Sequence, residues 1–120
     1  MIEIPVSVGE VIDKITILQI KQEKITNPAK QKNVTKELDQ LLLRVDVTEI
    51  SQFDELKNVN KELWDVEDEI RVCERNQDFG DEFIQLARSV YFFNDRRAEL
   101  KKQINLMTGS ELIEEKSYEI

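Results

Sequence analysis

Histidine is missing altogether from these 120 residues, and cysteine occurs once. Without imidazole the chain cannot itself assemble a Ser-His-Asp triad, a Cys-His dyad, a histidine acid/base or the common zinc sites. Catalysis would fall to carboxylates, Lys, Arg, Tyr or the one thiol, Cys73. A lone cysteine cannot close an intrachain disulfide, which fits a reducing compartment. Three glycines and two prolines leave little material for a turn-rich β fold. No basic start with an apolar run marks a signal peptide, and no stretch of about 18 apolar residues marks a membrane span. These absences point to a cytoplasmic chain with no membrane partner.

What is present fits soluble amphipathic helices: 40% apolar and 35% charged residues. Asp and Glu total 25 against 17 Lys and Arg, a net charge of −8. Phosphate backbones repel such a chain unless its cations cluster, so nucleic acid is not an expected partner. The length suits one domain, residues 1–120, of all-α class.

The plainest signal is a heptad seam, Leu56, Val59, Leu63, Val66, Ile70 and Cys73, spaced 3, 4, 3, 4 and 3 residues apart. It predicts a long third helix from about Ser51 to Asn76. A fourth helix follows the loop Asn76–Asp81, with Phe83, Leu86, Val90, Phe93, Arg97, Leu100, Ile104 and Met107 at the same spacing. Thr108, Gly109 and Ser110 stop it. Upstream, Ser7 and Glu10 read as a capping box opening helix 1, whose face carries Val8, Val11, Ile12, Ile15, Leu18 and Ile25. Ile17 and Ile20 lie off that face, so helix 1 should be buried on more than one side. Asn27 and Pro28 cap and open helix 2, predicted to run to Val45. The expected architecture is an elongated helical bundle of two antiparallel hairpins. Ile2–Val6 alternates with period two, and with Lys116–Ile120 it could form a short two-stranded ribbon, with Pro5 keeping it at an edge.

Arg97 interrupts an otherwise apolar stripe, where a charge is costly unless paired. Folding the helix 3–helix 4 hairpin about Phe79 sets Arg97 opposite Asn60 to Trp64. The polar set Asn60, Glu67, Arg71, Arg88, Tyr91, Asn94 and Arg97 could then line one side of the hairpin. One reading is a satisfied network that fixes register or an interface. The other is a site in which arginines hold a phosphate or carboxylate of an anionic small molecule. Glu62 and Asp65, beside Glu67, Asp68 and Glu69, have a spacing that all-α nucleotide pyrophosphatases use for magnesium. Asp95 and Glu99 do not supply a matching second pair, and Glu67 suits Arg71 at i, i+4. No metal or cofactor is therefore expected. Cys73, on the seam, reads as a small buried hydrophobe. The basic group Arg96, Arg97, Lys101 and Lys102 complements the C-terminal end of helix 4.

Several strings are distinctive: Ile4-Pro5-Val6-Ser7-Val8-Gly9-Glu10 with Asp13-Lys14-Ile15-Thr16-Ile17-Leu18; Val59-Asn60 with Leu63-Trp64 and Glu67-Asp68; Ala87-Arg88-Ser89-Val90-Tyr91 with Asn94-Asp95; and Glu114-Glu115-Lys116-Ser117-Tyr118. Through them nearly the whole chain resembles a family of small uncharacterised proteins of bacteria and their phages. The resemblance implies a bacterial or phage setting and supplies no activity, ligand or catalytic residue. Helices 3 and 4 carry more apolar width than a two-helix contact uses, with Phe53, Trp64 and Val72 outside the seam. That surplus favours a homo-oligomer, a dimer in the simplest case. The expected function is a non-enzymatic interaction or scaffold protein, and the alternative is a binding protein or enzyme using the Arg/Asn/Tyr set.

Overall fold

The computed structural model describes residues 1–118 and consists of helices: α1, Val8–Lys24; α2, Pro28–Leu42; α3, Phe53–Arg75; and α4, Asp81–Thr108. A short 3₁₀ turn, Val47–Glu49, leads into α3. Each start and stop has a local cause. Ser7 Oγ accepts from the Glu10 amide at 3.2 Å, and Asn27 Oδ1 accepts from the Lys30 amide at 3.1 Å. The four orphan amides of a helix start make such acceptors stabilising. Gly109 ends α4 in the left-handed region at φ 66°, and the Ser110 amide closes back on the Asn105 carbonyl at 2.9 Å.

α2 ends at Leu42 rather than Val45, because the Arg44 guanidinium turns back to the Gln40 carbonyl at 2.6 Å and Asp46 caps the 3₁₀ turn. α3 begins at Phe53, with no side-chain cap. The expected terminal ribbon is not supported. No strand forms among the described residues, and Ile2 and Ile4 are 88% and 68% exposed. Pro5 has no N–H to donate to such a ladder. The C-terminal segment instead lies along α4, through Lys101–Glu114 and Lys102–Glu115 contacts of 3.5 Å each. Glu119 and Ile120, also assigned to the ribbon, lie outside the described residues.

α1 is the shared helix. Its Ile12 packs with Leu56 and Val59 of α3 and Leu100 and Ile104 of α4. Its Ile15 and Leu18 pack with Val34 and Leu38 of α2. Ile12 and Ile15 are completely buried, and each contributes about 1.5–3 kcal/mol by leaving water. Val45, Val47 and Phe53 seal the seam between the two clusters. The expectation that α1 is buried on more than one side holds for this reason. Polar clasps register it further: Glu23 accepts from Lys57 at 3.0 Å and pairs with Lys61 at 3.3 Å, and Lys14 meets Glu37 at 3.0 Å. Lys57, against a smaller opposing effect of burial, and then Lys61 hold the Glu23 carboxyl below its ordinary value.

At 1.5 Å per residue the 23 residues of α3 and 28 of α4 rise about 35 and 42 Å, against about 26 Å for the 17 of α1. The α3–α4 hairpin therefore outreaches α1 and α2, and the bundle extends 44 × 43 × 26 Å.

Candidate functional site

One face of α1 carries Gly9, Asp13, Thr16 and Ile20, spaced 4, 3 and 4 residues apart and all buried. Asp13 is 1% exposed, an expensive place for a carboxylate without partners. It has them on every side. Arg97 of α4 donates from Nε to Oδ1 at 2.8 Å and from Nη2 to Oδ2 at 2.5 Å, a bidentate fork. Asn60 of α3 donates from Nδ2 to Asp13 Oδ1 at 2.9 Å and to Thr16 Oγ1 at 2.8 Å. The Thr16 hydroxyl in turn donates to the Asp13 carbonyl at 2.7 Å. The carboxylate raises the Arg97 guanidinium above its ordinary value against the opposing effect of burial, with Glu10 and Glu114 adding to it.

One helix turn further along, α1 and α4 touch backbone to side chain. The Gly9 amide donates to Asn105 Oδ1 at 2.6 Å, and the Val8 amide to Ser110 Oγ at 3.0 Å. Lys101, 7% exposed, reaches Glu10 Oε2 at 2.7 Å and Glu114 Oε2 at 3.5 Å. The capping box is therefore half formed: Ser7 serves the Glu10 amide, while the Glu10 carboxylate leaves the helix end to neutralise Lys101. A helix N-terminus that could have met an external anion is occupied by the chain's own Asn105.

Of the residues singled out from sequence, the fold joins Asn60 and Arg97, through Asp13. Glu67 and Arg71 pair with each other at 3.4 Å on the exposed side of α3. Arg88 Nε lies 3.5 Å from the Tyr91 hydroxyl, and both side chains are exposed on α4. Asn94 is half-buried between these groups and bonds to neither. The reason is helical phase. At about 100° per residue, Arg88 and Arg97 stand on opposite sides of α4, so the hairpin cannot present both in one cluster. Glu62, Asp65, Glu67, Asp68 and Glu69 are all exposed along α3. Among the described residues no three acidic or thiol side chains are grouped to hold a metal ion.

The basic group of α4 is neutralised within the chain: Arg96 by Glu55 and Glu99, Arg97 by Asp13, Lys101 by Glu10 and Glu114, and Lys102 by Glu115. A shallow cleft of about 250 Å³ lies between α4 and the C-terminal segment, walled by Lys101, Lys102, Glu114 and Glu115 already in those pairs. It is smaller than the roughly 300–1,000 Å³ of small-molecule pockets, and its charged groups are already spent on one another. Among the described residues no buried side-chain nitrogen or oxygen lacks a partner. The arrangement consumes its hydrogen-bonding capacity internally. Its physical effect is to fix the register of α1 against α3 and α4.

A model of a family of unknown function (DUF6165) matches residues 2–120. The chain belongs to that family. The match agrees with the resemblance read from the sequence and, like it, assigns no residue a role. No curated protein and no solved structure matches the chain.

Asp13, Thr16 and Asn105 escaped the sequence reading, and Lys101 figures there only in the basic group at the C-terminal end of helix 4. A signal for the first two was present in the 4-3-4 recurrence of Gly9, Asp13, Thr16 and Ile20, a second stripe beside the apolar one. Nothing in the sequence matched Lys101 to Glu10 across 91 residues. Cys73 is 6% exposed, as its seam position predicts. Burial pushes its thiol above the ordinary value, and Glu82, Asp78 and Glu69 push it the same way. Because the thiolate is the reactive form, iodoacetamide should label native Cys73 slowly at pH 8 and much faster in urea. Equal rates in the two conditions, measured by mass spectrometry, would contradict the burial.

Proposed function

We propose that the chain is a non-enzymatic, cytoplasmic interaction protein that works by self-association, in the simplest case as a dimer. The observation that carries this reading is the outer part of the α3–α4 hairpin. The ion pair of Lys24 with Asp65, at 3.9 Å, joins the last turn of α1 to α3. Beyond it the hairpin continues for several turns and leaves large apolar side chains in water. Val72, Phe79, Ile84, Tyr91 and Phe92 are 43%, 46%, 48%, 50% and 57% exposed. Scattered single residues of this kind are ordinary, but the Tyr91 and Phe92 rings lie 4.7 Å apart, with Ile84 two turns earlier on the same side of α4, and an apolar group of this kind is what interaction surfaces present.

The polar core supports the same reading from the other side. An anionic ligand at Asn60 and Arg97 would have to displace Asp13, which occupies the guanidinium at two atoms. A carboxylate so displaced would stay buried and unpaired, at a cost of several kcal/mol that a small ligand must first offset. Light scattering coupled to size exclusion across the micromolar range tests the proposal. A mass of twice the chain is the expected result. The mass of one chain at every concentration removes it.

A further inference from the structure

We infer that two copies meet through the outer face of α4, antiparallel, with a two-fold axis between Tyr91 and Phe92. The inference rests on the self-association reading above and adds to it the face, the direction and the register.

The face follows from helical phase. Leu100 and Ile104, fully buried, and Arg97, bound to Asp13, mark the core side of α4. On the opposite side Ile84, Arg88, Tyr91 and Asp95 recur 4, 3 and 4 residues apart, with Phe92 beside them. All five are exposed. The rings of Tyr91 and Phe92 lie 4.7 Å apart at a 45° tilt, and Arg88 Nε reaches the Tyr91 hydroxyl. Aromatic side chains and arginine are the residues that interface centres favour. Further along α4 the chain covers this side itself: the segment after Ser110 lies over Ala98 and Lys102, with Glu115 on Lys102. The open part is therefore the stretch from Ile84 to Asp95.

Charge names the occupant. Each copy carries −8, so two copies approach only where the local charge allows it. The exposed side of α3 does not, since Glu62, Asp65, Glu67, Asp68, Glu69 and Glu74 outnumber Arg71 and Arg75. The open face of α4 is neutral, with one cation, Arg88, and one anion, Asp95. Neither is in an ion pair within the chain, among the described residues. Arg88 stands three residues before Tyr91, and Asp95 three residues after Phe92. An antiparallel pairing about the midpoint of the two rings thus sets Tyr91 against Phe92 of the second copy and Arg88 against its Asp95, twice by symmetry. A parallel pairing would set Arg88 on Arg88 and Asp95 on Asp95. Antiparallel helix dipoles favour the same choice.

Sedimentation of wild type, Arg88→Asp, Asp95→Arg and the double variant tests this. Each single change sets like charges together twice and should weaken the dimer by about tenfold or more. The double variant restores opposite charges and should return to near the wild-type dissociation constant. As a second measurement, Tyr91→Cys in a Cys73→Ala background should form a disulfide-linked dimer under mild oxidation, because facing Cα atoms near the axis of a helix pair fall within disulfide reach. The altered side chains at 88, 91 and 95 are exposed, so the far-UV circular dichroism of the charge variants should match wild type and exclude misfolding as the cause. A wild-type dimer that is indifferent to both charge changes, with no cross-linking of the Tyr91→Cys variant, overturns the α4 face while self-association stands. A wild type that is monomeric throughout removes both.

Discussion

Arg97→Ala should lower the free energy of unfolding by about 3 kcal/mol, the largest effect expected of any single side chain outside the apolar core. Breaking a buried ion pair by deleting one partner typically costs about 3–5 kcal/mol, because the remaining charge stays buried. Asp13 would be that charge, 1% exposed and left with only the Asn60 amide on its carboxylate. The lower end of the range applies because the Arg97 side chain is 29% exposed and water can follow it into the gap. A domain of this size has about 5–15 kcal/mol in total, so the variant should still fold but unfold at markedly lower urea. Asp13→Asn with Arg97→Met removes both charges and should recover much of the loss. If Arg97→Ala costs less than about 1 kcal/mol, the pair behaves as a surface ion pair and the network does not hold the three helices.

Gly9→Ala is the second. In an ordinary helix interior the change stabilises by about 1 kcal/mol. Here a Cβ would stand 2.5 Å from the Lys101 carbonyl oxygen and 3.0 Å from Asn105 Oδ1, with the Lys101 carbonyl carbon at 3.1 Å. Two of those atoms belong to the α4 backbone and cannot swing aside, so α1 and α4 must separate at this end. That separation stretches the 2.6 Å bond from the Gly9 amide to Asn105 and leaves a buried amide and carbonyl short of partners. Overpacking costs about 1–3 kcal/mol and an orphaned buried polar group about 1–3 more. A net loss of about 3 kcal/mol in thermal or urea unfolding is expected, opposite in sign to the helix propensity. Stabilisation by Ala would show that the two backbones do not approach this closely.

Much of this architecture is legible in the residues alone. The Leu56–Cys73 seam is α3, Ser7 and Asn27 cap the helices they are expected to cap, and Gly109 ends α4 as a left-handed residue. Those features are local: a spacing, a cap or a stop depends on residues within a few positions of one another. Arg97 also announces itself, since an arginine in an apolar stripe needs a partner, and folding the hairpin about Phe79 places Asn60 near it. The partner itself is not legible. Asp13 lies on a helix whose apolar stripe draws the eye away from its second face, and 84 residues separate it from Arg97.

Residue order alone implies an all-α chain, roughly where its helices begin and end, and one charge on α4 that needs a partner. It takes the packed helices to show that the partner is Asp13, that Gly9 is where two backbones meet, and that Arg88 and Arg97 face opposite ways. Helix formation is encoded in near neighbours, whereas the choice of which faces meet is a property of the whole packing. A single pattern of apolar stripes permits more than one arrangement of helices until buried charges have to find their counterparts.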